Sequence, residues 1–258
     1  MRRKVNRGST SLRRLLAVWA ATAALPCLAM HIVVAPPMLY MSGPVVYEDW
    51  TAWQEIMDKH GSKIDTVVLY DSPGGESMPS RFISPHIRGR KLKTLVAGPC
   101  ASACANMFVA GVERQFASGA NKSVLVFHGS YRESDRSVVK RSHGDYFLRM
   151  TDWKMSEALI LRFINLPDPS GGLVFFHPQL KPDKLMALVA FCDGKTVRAK
   201  QLDQCETIPD TDALAQGVVT TWETRNAGTL PEAGKDWKTK VTWPEAAAAA
   251  QDNAAPPQ

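Results

Sequence analysis

The chain has 258 residues, of which 45% are apolar and 22% charged, and a formal net charge of +6. That length buries one core and a small appendage, and the composition excludes a multi-span membrane protein and a wholly disordered chain. Six of the 31 basic residues (Arg2, Arg3, Lys4, Arg7, Arg13 and Arg14) lie in the first fourteen positions, no acid precedes Glu48, and the remaining 25 bases equal the 25 acids. The positive excess belongs to the start of the chain, so no nucleic-acid partner is implied.

The basic start is followed by an apolar run over 15–25, then Pro26 and small residues, which is the pattern of an export signal. Cleavage is expected after Ala29. The alternative is an uncleaved anchor, because 15–35 is long and apolar enough to span a bilayer with Pro26 as a kink. In both cases the basic end stays in the cytoplasm and the rest lies outside it. The protein is therefore expected in the periplasm or secreted, or else held in the inner membrane by one pass. Pro26 before Cys27 argues against a lipoprotein signal.

Residues 38–46 (MLYMSGPVV) read as a strand and its exit at Gly43-Pro44. Over 47–60, Trp50, Trp53, Ile56 and Met57 recur at helical spacing. The run 64–70 (IDTVVLY) is short, apolar and β-branched, the signature of a buried parallel strand, and it ends in the flexible turn DSPGG at 71–75. Residues 76–91 read as an irregular helix with Met78, Phe82, Ile83 and Ile87 on one face and Pro79 and Pro85 within it. A strand is expected over 92–97 and a small-residue helix over 101–111, opened by Pro99 and closed by Gly111. Short strands follow at 115–117 and 124–127. The alternation of strands and helices indicates an α/β core of βαβ units.

Residues 145–164 carry helical periodicity through Phe147, Leu148, Trp153, Met155, Leu159 and Ile160. Residues 167–172 form a loop, and a helix is expected around 211–223. The last segment, 226–258, contains AAAAA at 246–250 and reads as a disordered tail. Four cysteines lie beyond the leader, and an even number in an exported chain points to disulfides with three possible connectivities. Cys192 and Cys205 flank Asp193-Gly194, which reads as a tight turn, and are expected to staple a small hairpin. The other reading is two buried free thiols. Neither pair has zinc-ligand spacing, so no metal site is expected.

Three segments carry chemistry. In CASAC (100–104), Ser102 falls at a strand-to-helix junction, where free N–H groups and the helix dipole stabilise negative charge. An acyl-transfer nucleophile requires that environment for its oxyanion. In DSPGG, two glycines let main chain approach a ligand closely. In LVFHGS (125–130), His128 ends an apolar strand at an edge where parallel strand ends gather. Neither a phosphate-binding loop, nor a dinucleotide fingerprint, nor HExxH occurs, and no cofactor is expected.

These segments, in order, resemble the Clp peptidase branch of the Clp protease/crotonase superfamily. The match is closest to an exported group carrying C-A-S-A-C and G-x-x-R, here Gly111-Val112-Glu113-Arg114. The resemblance covers roughly residues 38–180. It implies an α/β fold of stacked βαβ units, a spiral sheet with flanking helices, spanning 38–190; the cysteine hairpin and a helix at 191–225 lie outside the resemblance and are expected as an appendage. It implies Ser102 as nucleophile, His128 as general base, Gly75 and Ala103 as oxyanion donors and Asp168 as the acid orienting the histidine, with Asp183, Asp145 and Asp135 as other candidates. It also implies a peptide or protein substrate and a homo-oligomer.

The cysteines beside the serine depart from the Clp pattern. Cys100 and Cys104 are four apart, so one helical turn would place their Cα atoms within disulfide range. They are either a bond that stiffens the serine turn or two small apolar fillers. An oxidising compartment disfavours Cys100 or Cys104 as a free thiol nucleophile. In the membrane-bound branch a lysine is the base. Lys140 falls near that position, and a lowered pKa would be needed for the role. His60, His86, His143 and His177 read as surface or loop residues. The competing class is a catalytically idle crotonase-like binding protein.

Overall fold

The computed structural model describes residues 29–119, 123–132, 134–135, 137–139, 144–168, 170–179, 187–198, 204–232 and 241–242. The strands are β1 (His31–Ala35), β2 (Met38–Ser42), β3 (Thr66–Tyr70), β4 (Lys93–Val96), β5 (Pro99–Ala101), β6 (Arg114–Ser118), β7 (Val124–Phe127), β8 (Gly172–Phe176), β9 (Val189–Cys192), β10 (Glu206–Thr207), β11 (Arg225–Asn226) and β12 (Val241–Thr242). The helices are α1 (Glu48–His60), α2 (Ser77–Gly89), α3 (Ala103–Val109), α4 (Gly144–Met150), α5 (Glu157–Ile164) and α6 (Gly194–Arg198).

The protein is mixed α/β with two mixed sheets. One has the order β11-β6-β4-β3-β2-β1-β12, and its run β2-β3-β4-β6 is parallel. The other has the order β10-β9-β8-β7-β5, parallel between β5 and β7 and antiparallel beyond. β3 is buried along its whole length, as its β-branched run requires when both faces are covered. α1 buries Trp53, Ile56 and Met57. α3 is made of small and apolar residues and packs into the same core as α2. The chain leaves the first sheet at β4 and enters the second at β5, only three residues later.

Several expectations need correction. The strand read within 38–46 runs over Met38–Ser42 and exits at Gly43-Pro44 as expected, but it is not the first strand: it is the second arm of an antiparallel hairpin with β1. Residues 31–35 are thus a strand, so the apolar stretch 15–35 does not continue as a helix to its end. Among the described residues no helix is long and apolar enough to cross a membrane; residues 1–28 lie outside them. Residues 99–101 are strand β5 rather than the opening of a helix. On α2 Ile83 and Ile87 are buried as read, together with Pro79, Ser80 and Ser84, whereas Met78 and Phe82 are exposed. The helix read over 145–164 is two, α4 and α5, with Trp153 exposed in the break.

Asp193-Gly194 is not a tight turn. Asp193 Oδ1 accepts the Thr196 N–H at 2.7 Å and starts α6, after which β10 returns antiparallel to β9. Residues 211–223 form turns rather than a helix. Within the segment expected to be a disordered tail, Asn226 pairs with Ser118 and β12 pairs with β1. Tyr40 donates to the Ala227 carbonyl at 2.7 Å and Tyr70 to that of Pro231 at 3.1 Å. His60 and His177 are buried, His86 is exposed, and His143 lies outside the described residues.

Candidate functional site

The DSPGG turn is stitched between two other segments. On one side, Val45 N–H donates to Gly74 O and Glu76 N–H donates to Val45 O, both at 2.9 Å. On the other, Ser72 N–H donates to Pro99 O at 2.9 Å and Ala101 N–H donates to Ser72 O at 3.0 Å. Cys100 then pairs with Leu125 of β7. Through these bridges the three chemistry-bearing segments become neighbours, although they are far apart in sequence. Ser72 is the rivet: it is buried, and its hydroxyl donates to Gly43 O at 2.6 Å.

Two glycines are required by this packing. Gly74 has φ +82° and lies against the serine turn, and a Cβ there would come within 2.6 Å of Ser102 Cβ. Gly75 has φ +150°, and a Cβ there would lie 2.2 Å from Val45 O. No other residue type accepts both the dihedral and the closeness. Among the described residues no hydrogen bond occupies the N–H of Gly75 or of Ala103.

Ser102 has φ +54° and ψ −118°, a strained combination for a residue with a side chain. Its own N–H donates to Val126 O at 2.8 Å, so it is anchored to the strand that leads to His128. Its hydroxyl makes no capping bond to α3. The Cys100–Cys104 disulfide spans the turn, with Cα atoms 5.4 Å apart, and both half-cystines are fully buried. The second disulfide joins Cys192 to Cys205. Two disulfides fit a secreted or periplasmic protein.

A cleft of about 660 Å³ is lined by Ser102, Gly75 and His128 together. The hydroxyl of Ser102 and the imidazole of His128 are not hydrogen-bonded to each other. His128 Nδ1 lies 2.7 Å from Gly129 O; with the Nδ1–H donating there, Nε2 carries the lone pair. The ring packs 5.5 Å from that of Tyr131, whose hydroxyl donates to Leu166 O at 2.6 Å. The cleft also contains Tyr47, Glu76, Met78 and Arg132. Sequence reasoning missed these four. Tyr47 and Met78 are exposed apolar residues flanking sequence motifs, a signal legible only once the motifs were known to meet.

Asp168 does not line the cleft. Its carboxylate accepts the Ser170 N–H at 2.9 Å and faces Gly194. The antiparallel register Phe127↔Leu173 brings its loop to the same end of the sheet as His128. Asp145 and Asp135 are exposed, and Asp135 accepts the Ser137 N–H. Lys140 and Asp183 lie outside the described residues.

Two buried charged groups lie outside the cleft lining. Arg114 is buried and donates to the carbonyls of Gly111, Gly217 and Val218 and to Asp152 Oδ2 at 3.0 Å. Burial pulls its pKa down and Asp152 pulls it back up. Asp49 is fully buried in the first turn of α1, where its Oδ2 accepts the Val46 N–H at 2.7 Å. Burial pushes its pKa up to about 7.

No protein-family model matches the chain, and no curated protein matches it. Its chemistry therefore has to be read from the cleft.

Proposed function

We propose that the protein is an extracytoplasmic serine hydrolase of the Clp/crotonase type that cleaves peptides through an acyl-enzyme on Ser102. The observation that carries this reading is the strained serine at the head of α3, lining one cleft with Gly75 and followed by Ala103, whose N–H groups no hydrogen bond occupies among the described residues. The parallel run β2-β3-β4-β6 is in keeping with the stacked βαβ units that the superfamily resemblance implies.

In this reading Ser102 Oγ attacks the substrate carbonyl carbon and its proton passes to His128 Nε2. The carbonyl π electrons move to oxygen, and Gly75 and Ala103 donate to the resulting oxyanion. Collapse breaks the C–N bond as His128 returns the proton to the leaving amine, and water then releases the acyl group by the same route. The Gly129 carbonyl fixes the imidazole tautomer, a task that Asp168 would share. The hydroxyl-imidazole hydrogen bond forms when substrate fills the cleft, since such bonds often tighten only in the complex.

The lack of that bond in the free protein also favours a second reading, a crotonase-like module that binds without catalysis. A fluorophosphonate probe separates them. Labelling is expected in the wild type, absent in Ser102→Ala, and slowed by ~10²-fold or more in His128→Ala. Equal labelling of wild type and Ser102→Ala overturns the hydrolase mechanism. If His128→Ala retains full activity and Lys140→Ala does not, the base is Lys140. Light scattering tests the homo-oligomer that the resemblance implies; a monomeric mass refutes it.

A further inference from the structure

We propose that removing the leader after Ala29 supplies the fold with a ligand of its own: the new α-ammonium of Met30 pairs with the buried carboxylate of Asp49 and locks the segment that holds Gly75. The coupling to Gly75 rests on the hydrolase reading; the pairing itself does not.

Met30 N already lies 3.2 Å from Asp49 Oδ1, and both residues are completely buried. The other carboxylate oxygen of Asp49 holds Val46 N–H. The next residue back, Val45, makes the two backbone bonds that clamp Gly74 and Glu76 on either side of Gly75. A single carboxylate thus joins the start of the exported chain to the proposed oxyanion donor through one intervening residue.

While Met30 N is an amide it brings no charge. Among the described residues, the charged groups acting on Asp49 are then Glu48, its neighbour on α1, and Glu76 at the head of α2, both acidic. A buried carboxylate among acids is disfavoured as an anion. Hydrolysis of the 29–30 bond by a signal peptidase adds water across it. Ala29 leaves with the new carboxylate, and Met30 keeps the amine, which takes up a proton. The result is a cation within reach of Asp49 Oδ1, where the described neighbours supply only negative charge. Ala29 and Met30 are 2% and 0% exposed, so a protease cannot reach that bond after folding, and cleavage belongs to the export step before it.

The test compares the disulfide-bonded chain 30–258, released from a fusion with Met30 as its free first residue, with chain 29–258, one residue longer and acetylated on the Ala29 nitrogen so that it brings no cation. N-terminal sequencing of the exported protein should start at Met30; any other start overturns the proposal. The denaturation midpoint of 30–258 should hold between pH 5 and 7, whereas that of 29–258 falls. Asp49→Asn should lower the midpoint of 30–258 and leave that of 29–258 unchanged or raised. The same effect of the substitution in both chains, or superimposable pH profiles, refutes the ion pair.

Amide exchange at Val46 should be slower in 30–258, and exchange at equal rates refutes the lock. Fluorophosphonate labelling of Ser102 should be ~10-fold faster in 30–258. If neither chain is labelled while the midpoint and exchange differences persist, the hydrolase reading fails and the pairing stands. If both are labelled alike without those differences, the pairing fails and the hydrolase reading stands.

Discussion

Replacing Gly74 by alanine probes the contact on which the whole site depends. The new Cβ would lie 2.5 Å from Ala101 O, 2.6 Å from Ser102 Cβ and 3.0 Å from Ala103 N. Ordinary carbon contacts are about 3.5–4.0 Å, and none of these neighbours is the free end of a flexible side chain. The serine turn must therefore move by roughly 1 Å. A left-handed φ costs a residue with a Cβ ~1–2 kcal/mol, and overpacking adds ~1–3 kcal/mol. The expected destabilisation is roughly 2–5 kcal/mol, within the ~5–15 kcal/mol stability of a typical domain. Because a shift of that size can cost ~10²-fold at a reacting centre, fluorophosphonate labelling should fall by about that factor while the protein remains folded. Urea denaturation and labelling kinetics on one preparation read both effects. Gly89→Ala is the control, because nothing lies within 4 Å of its added Cβ; labelling should be unchanged and stability should change by less than ~1 kcal/mol. If Gly74→Ala unfolds and labels like the wild type, the packing argument for the site is wrong.

The two disulfides should separate stability from function. By loop length, removing Cys192–Cys205 by double alanine substitution costs ~3 kcal/mol and removing Cys100–Cys104 ~2 kcal/mol, yet only the second loss should impair labelling at Ser102. Calorimetry with labelling checks the reversed order. Arg114→Met removes the partner of three buried carbonyls and should destabilise by ~3–5 kcal/mol, read as a lowered denaturation midpoint; a change under 1 kcal/mol refutes a supporting role. For a chain that retains Ala29, the raised pKa of Asp49 makes stability fullest below pH ~4, its value in an unfolded chain. That stability is lost as pH rises through about 7, by up to about 4 kcal/mol. Asp49→Asn should abolish this slope in denaturation curves taken between pH 4 and 8.

Local pattern made much of the molecule legible. The β-branched run of β3, the helical spacing of α1 and the order of CASAC, DSPGG and LVFH all depend on neighbours in sequence, and each lies in the element read for it. The cysteine partners were legible only in part: the staple between Cys192 and Cys205 was expected, whereas Cys100 and Cys104 read equally as a bond or as apolar fillers, and the fold forms both bonds. The misreadings have a common source. The helix read over 145–164 breaks at Asp152 and Trp153, both at positive φ, where Asp152 turns to meet Arg88 and Arg114. The helix read over 211–223 does not form, and the carbonyls of Gly217 and Val218 go to the Arg114 guanidinium.

One buried cation thus draws on acceptors some hundred residues away, and no window of local periodicity contains that information. The same holds for the cleft. Sequence alone determined which residue types were available for acyl transfer and that the positive excess belonged to the first fourteen residues. Only the tertiary structure decided that Ser102, Gly75 and His128 share one cavity. The bridges from Val45 to Gly75, Ser72 to Cys100 and Cys100 to Leu125 join segments whose pairing is fixed by the packing of two sheets, not by the residues within each segment.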